Sequence, residues 1–165
     1  MKNKRQLKLM LFSLCLLCGI TACSNEKIEE DWDINPINLY VFVQDAGGTD
    51  LLDPNKPDNI TNKGIKAIYN NKEYNVKNTV SRYYNATMNG LQLVKMDGRY
   101  ALKFGEFKGE IDYHSETVII DWNDGTKDTF SFDSEFTWKN KKPNMKTTFF
   151  LNGEEIKETF YTIVK

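Results

Sequence analysis

His114 is the single histidine of the chain and sits in Asp112-Tyr113-His114-Ser115. A neutral imidazole beside a carboxylate and a hydroxyl is raw material for acid–base or nucleophilic catalysis. If this stretch is extended, Asp112 and His114 project to one face and Ser115 to the other. A serine nucleophile would then have to reach His114 from elsewhere, and the chain has no Gly-x-Ser-x-Gly turn to present one. Oxygen ligands crowd another segment, where Asp45, Asp50, Asp53 and Asp58 surround Gly47-Gly48. Such loops can hold calcium. The spacing departs from that of a calcium loop, as it does in Asp121-Trp122-Asn123-Asp124-Gly125, and Asp and Gly are ordinary turn residues. Both segments therefore read as turns, and no metal or other cofactor is expected. Gly47-Gly48 is not followed by a helix, so it does not read as a phosphate cradle. With 23 acids, a hydrolase using two carboxyl groups stays open as a lesser reading; it requires them about 5–10 Å apart in a cleft.

Aromatic side chains offer a different chemistry. Phe130, Phe132, Phe136 and Trp138 fall on one parity of a single extended run, with Ser134 among them. Stacked rings on an open sheet face can bind the apolar faces of sugars. Four large aromatics at strand period ordinarily bury themselves, however, and this favours a core role. Tyr83, Tyr84 and Tyr113 lie in loop-like sequence, where binding residues concentrate. They are the candidate ligand contacts, together with Trp138.

These residues must be positioned by strands. From Pro36 onward the pattern is period-2 alternation broken by tight turns. Ile37, Leu39, Val41 and Val43 share one face of a run opposite Asn38, Tyr40, Phe42 and Gln44. Asn70-Asn71, Asp97-Gly98 and Asn152-Gly153 sit between such runs and suit two-residue hairpins; Asn123-Asp124-Gly125 marks another turn. The parity switch at Leu93-Val94 suggests a bulge or a strand buried on both faces. Lys77–Gly90 has no strand character. The expected fold is all-β: an antiparallel two-sheet sandwich, loosely immunoglobulin-like, with a lipocalin-like barrel as the alternative.

The first 22 residues read as targeting. Lys2, Lys4, Arg5 and Lys8 precede the apolar Leu9–Leu17, which is too short to span a bilayer as a helix. Ile20-Thr21-Ala22-Cys23 then resembles the lipobox of bacterial lipoproteins. That resemblance implies a diacylglyceryl group on the Cys23 thiol, cleavage before Cys23 and acylation of the freed amine. Cys15 and Cys18 would leave with the leader, so no disulfide is expected in the domain. Glu26, Glu29, Glu30 and Asp31 follow closely, and an acidic run there resembles the surface-export signal of Bacteroidota-type lipoproteins. Asp121–Thr129, Leu39–Asp45 and Asp50–Pro54 resemble segments of uncharacterised Bacteroidota lipoproteins, a family with no assigned activity.

Beyond residue 22 the chain holds 18 bases against 23 acids, a net charge of −5, which gives nucleic-acid phosphates nothing to bind. The organisation that follows is a signal peptide over residues 1–22, an acidic tether over 23–36 and one β domain over 37–165. The expected protein is a non-enzymatic outer-membrane lipoprotein at the cell surface. It would be held by its lipid and would act as a binding or accessory module for a glycan or an envelope protein. A structural or assembly subunit is the alternative.

Overall fold

A computed structural model of the chain describes residues 32–77, 90–157 and 160–165. Cys23, the leader, most of the tether and Tyr83 and Tyr84 lie outside the described residues. The fold is all-β. Ten strands follow in chain order: β1 (Ile37–Gln44), β2 (Lys66–Tyr69), β3 (Lys72–Lys77), β4 (Leu91–Met96), β5 (Arg99–Phe107), β6 (Tyr113–Asp121), β7 (Lys127–Lys139), β8 (Lys142–Leu151), β9 (Glu154–Ile156) and β10 (Tyr161–Val164). They form one sheet in the order β10-β1-β5-β4-β3-β2-β6-β7-β8-β9. Pairing is mixed, because β10 joins β1 in parallel and β3 joins β4 in parallel.

One expectation changes at this point. Purely antiparallel pairing fails because the run from Glu154 to Val164 is not one strand. Its first part stays in the hairpin with β8, while its last part crosses to the opposite edge and lies along β1. Burial favours that crossing: Tyr161 and Ile163 alternate with Thr162 and Val164 and place their side chains in the core. At Leu93-Val94, where the switch suggests a bulge or a strand buried on both faces, β4 pairs with β5 without interruption and both side chains are half-buried.

The sheet curls so that its two halves enclose one core. Phe107 on β5 meets Phe132 on β7 at 4.9 Å, and Phe130 on β7 meets Tyr161 on β10 edge-on at 4.7 Å. The strict alternation of β1 supplies Ile37, Leu39, Val41 and Val43 to this interior. Every buried core residue falls within Asp33–Lys165, which forms one compact unit. Tight turns set the registers: Asn70-Asn71, Asp97-Gly98, Asn140-Lys141 and Asn152-Gly153 all place both central residues at positive φ. That geometry matches the twist of paired strands.

Two bulges interrupt the ladders. One lies in β6, where Ser115 takes a φ of 52° and the pairing with β7 slips between Tyr113 and Glu116. The other lies in β5, where Ile37 opposes Phe107 but Asn38 opposes Gly105. The extra residue flips parity, so Phe104 and Phe107 both enter the core. Gly105 has a φ of 121°, and a Cβ there would stand 3.0 Å from the Phe107 ring and 3.1 Å from the Ile37 carbonyl. Nearby, Ile34 and Asn35 pass so close over Gly109 that a Cβ would collide with both. The residues leading into β1 are thereby seated on the β5–β6 connection.

Gly105→Ala should destabilise the domain by about 1–3 kcal/mol through backbone strain and displacement of Phe107. Urea unfolding should show a lowered midpoint with an unchanged m-value; a wild-type midpoint would mean that the bulge tolerates a side chain.

Candidate functional site

The long strand β7 divides in two. Its inner half, from Phe130 to Ser134, is flanked by β6 on one side and β8 on the other. Phe130 and Phe132 are fully buried, and the Ser134 hydroxyl lies 3.3 Å from that of Thr147. Pairing with β6 ends at Tyr113–Ser134, and pairing of β8 with β9 reaches no further than Phe149–Ile156. Among the described residues, Glu135–Lys146 therefore pair only with one another, as a two-stranded ribbon beyond the body of the sheet.

Opposed residues of an antiparallel pair share a face, so Phe136 with Met145 and Trp138 with Pro143 continue the core face outward into solvent. Trp138 is 59% exposed and Met145 38%. Phe136 and Trp138 meet edge-on at 5.7 Å. The other face is polar, with Thr137 bonded to Asn144 across the strands. Three lysines, Lys139, Lys141 and Lys142, stand at the tip, and a fourth, Lys146, lies opposite the single acid Glu135 at the ribbon base.

Next to the ribbon base is a groove of about 360 Å³, lined by Pro36, Ile37, Asn38 and Tyr40 on one side, Met145, Thr147 and Phe149 on the other, and Phe160. It lies along the seam of the curled sheet, between β1 and β8. Among the described residues β10 covers β1 only over Val41–Gln44. Phe160 is 40% exposed and stacks obliquely on Tyr40 at 5.9 Å. Asn38 gives its amide N–H to the Pro36 carbonyl, while its Oδ1 is buried without a hydrogen-bond partner. The groove is thus an aromatic and aliphatic trough. Sequence reading missed it, because Pro36–Tyr40 and Met145–Phe149 meet only through the β10 crossing and the curl of the sheet.

The catalytic-looking residues are otherwise engaged. The Asp112 carboxylate accepts the Phe136 amide at 2.6 Å, where β7 leaves β6. The Asp133 carboxylate accepts the amide of bulged Ser115 at 2.6 Å. His114 is exposed in the bulge of β6. In the acidic loop, Asp45 accepts the amides of Gly47 and Thr49, Asp50 those of Leu52 and Tyr100, and Asp53 that of Asn55. These carboxylates fold their own turns. No group of three or more His, Cys, Asp or Glu among the described residues is placed to hold a metal ion. Sequence reading also missed the 2.5 Å hydrogen bond from the Tyr69 hydroxyl to Glu116. Burial, and then the carboxylate, push the Tyr69 phenol well above its ordinary range.

Of the candidate ligand contacts, Trp138 stands in the open and Tyr113 does not. Tyr113 is half-buried, packed on Phe107 and Phe132 at 5.9 and 5.3 Å. Desolvation raises its phenol. At the far end of the sheet, Lys165 lies over the Trp122 ring at 4.8 Å and bonds the Asp124 carboxylate at 2.7 Å. Trp122 donates its indole N–H to Asp128. Lys165, then Thr126, hold the Asp124 carboxyl well below its usual range. Comparison of the chain with protein-family models, with curated proteins and with solved structures finds no match.

The divided strand predicts unequal mutational costs. Phe132→Ala should cost about 3–5 kcal/mol as a large-to-small core change, whereas Trp138→Ser should stay within about 0.5 kcal/mol; chemical denaturation of both variants compares them directly. At the other end, a carboxyl held below its unfolded value stabilises above that value and loses its contribution as pH falls through the folded one. The Lys165–Asp124 clamp should accordingly weaken below about pH 4, from an ordinary value of 3.8. The drop in thermal midpoint on acidification should be smaller in Asp124→Asn than in wild type.

Proposed function

We propose that this chain is an envelope lipoprotein, anchored through Cys23 at the outer-membrane surface, that works as a non-catalytic binding module with its ligand seat in the seam groove. The observation that carries the reading is the groove itself: rings and aliphatic side chains from β1, β8 and Phe160 left open to solvent beside an aromatic ribbon. Its volume falls within the range of small-ligand sites. A glycan suits it best, because sugar rings place their C–H faces on aromatics such as Tyr40, Phe149 and Phe160. The carboxylates that could have served a hydrolase accept backbone amides instead, which favours binding over turnover. The curl of the single ten-stranded sheet also keeps a barrel-like description apt, with the two packed halves supplying what a sandwich would.

A second reading, contact with another envelope protein, draws on the exposure of Ile111, Trp138, Met145 and Phe160. Patches of that kind mark interaction surfaces.

Calorimetric titration of residues 24–165 with a glycan panel tests the first reading. Binding should occur and fall at least about tenfold in Thr147→Trp, which fills the groove, a change of about 1.4 kcal/mol or more. A silent panel with crosslinked partners in a whole-envelope pull-down would shift the assignment to the second. Mass spectrometry of the native protein should find acyl chains on Cys23; a bare thiol would remove the anchor.

A further inference from the structure

The basic, Trp-bearing tip of the β7–β8 ribbon has a chemistry that the groove does not use. We propose that this tip is an interfacial contact for an anionic lipid bilayer. Between Glu135 and Lys146 the ribbon carries four lysines and one glutamate, a net +3, on a chain whose residues beyond the leader sum to −5. Positive charge is therefore concentrated at one projecting point of an acidic protein, where it complements lipid phosphates.

The apolar side matches the same partner. Trp138 and Pro143 stand opposite each other near the turn, followed inward by Phe136 and Met145. Tryptophan favours the level of the lipid headgroups, and lysine stems can lie along apolar surface while their ammonium groups reach phosphate. From Ser134 to Lys139 the ribbon advances about 15 Å at strand rise. Interfacial elements bury about 5–10 Å of their apolar side, so the tip reaches that depth while the body of the sheet stays in water. The turn Asn140-Lys141, with φ of 53° and 63°, gives the tip a defined shape before contact.

The route of the chain adds a second argument. Pro36 and Met145 line the same groove, so the residues that lead into β1 arrive at the base of the ribbon. Eleven residues lie between Cys23 and Asn35, a reach of at most about 40 Å. This second argument rests on the lipid-anchor reading; the charge and exposure of the tip do not. An anchor on so short a tether would hold the ribbon at high effective concentration over its own membrane.

Among the described residues the core lies within Asp33–Lys165, so residues 24–165 without acyl chains give a test that is independent of the anchor. Cosedimentation with phosphatidylcholine vesicles, and with vesicles containing about one third phosphatidylglycerol, should show binding to the second alone. Bromine-labelled acyl chains should quench tryptophan emission in the wild type and not in Trp138→Phe. Trp138→Ser and the triple variant Lys139→Gln, Lys141→Gln, Lys142→Gln should each weaken binding at least about tenfold, with thermal midpoints near wild type. No vesicle binding, equal binding by the variants, or binding without quenching through Trp138 would each overturn the proposal. A normal result with a bare Cys23 thiol would sink the anchor alone.

Discussion

Tyr161 and Phe130 meet edge-on at 4.7 Å inside the sheet, and much of the architecture depends on that meeting. Tyr161 opens β10, the strand that leaves the β8–β9 hairpin and runs parallel to β1. Phe130 belongs to β7, which the sheet order places six strands away from β1. Their contact ties the last strand to the opposite wall and bends a flat ladder into an enclosure. Burying two large rings contributes on the order of 3–6 kcal/mol, comparable with the net stability of a small domain. The cost is one orphan group, since the Tyr161 hydroxyl is buried without a partner. Lys165 secures the same strand from its other end, through its amide on the Gln44 carbonyl and its ammonium over Trp122.

The enclosure is incomplete, and the incompleteness shapes the groove. β10 is four residues long against eight in β1, and β9 is three against ten in β8. Where these short strands end, side chains of β1 and β8 face one another across the seam. A longer β10 would fill the trough with backbone; a shorter one would release Tyr161 from the core. The site is thus a by-product of the strand lengths that close the rest of the molecule.

Local signals were legible in the chain, and long-range ones were not. The alternation from Ile37 to Val43 announces β1, because a half-buried strand must alternate. Asp97-Gly98 and Asn152-Gly153 announce their hairpins through residues that accept positive φ. Asn140-Lys141 does the same work without a glycine, inside a lysine-rich stretch of poor strand propensity, and so the outer half of β8 went unread. The aromatic run of β7 was legible as one face but not as two environments: only the end of β6 at Tyr113 decides that Phe132 is buried and Trp138 is not. Likewise, nothing local distinguishes Glu154–Ile156 from Tyr161–Val164. That separation comes from the vacancy beside β1, which exists only once the sheet has assembled. Asp112 and Asp50 looked available for chemistry because the Phe136 amide lies 24 residues from the first and the Tyr100 amide 50 residues from the second.

One strand thus answers to two kinds of selection. Substitutions between Phe130 and Ser134 are screened by packing density, where a single methylene is felt, so that stretch should drift slowly. A few positions onward, between Glu135 and Lys139, side chains touch little besides their partner strand. They can exchange without unfolding anything. Homologous chains would be expected to share the inner half almost unchanged while diversifying the outer half. New specificities could then arise by replacing the end of a hairpin and leaving the fold that carries it untouched.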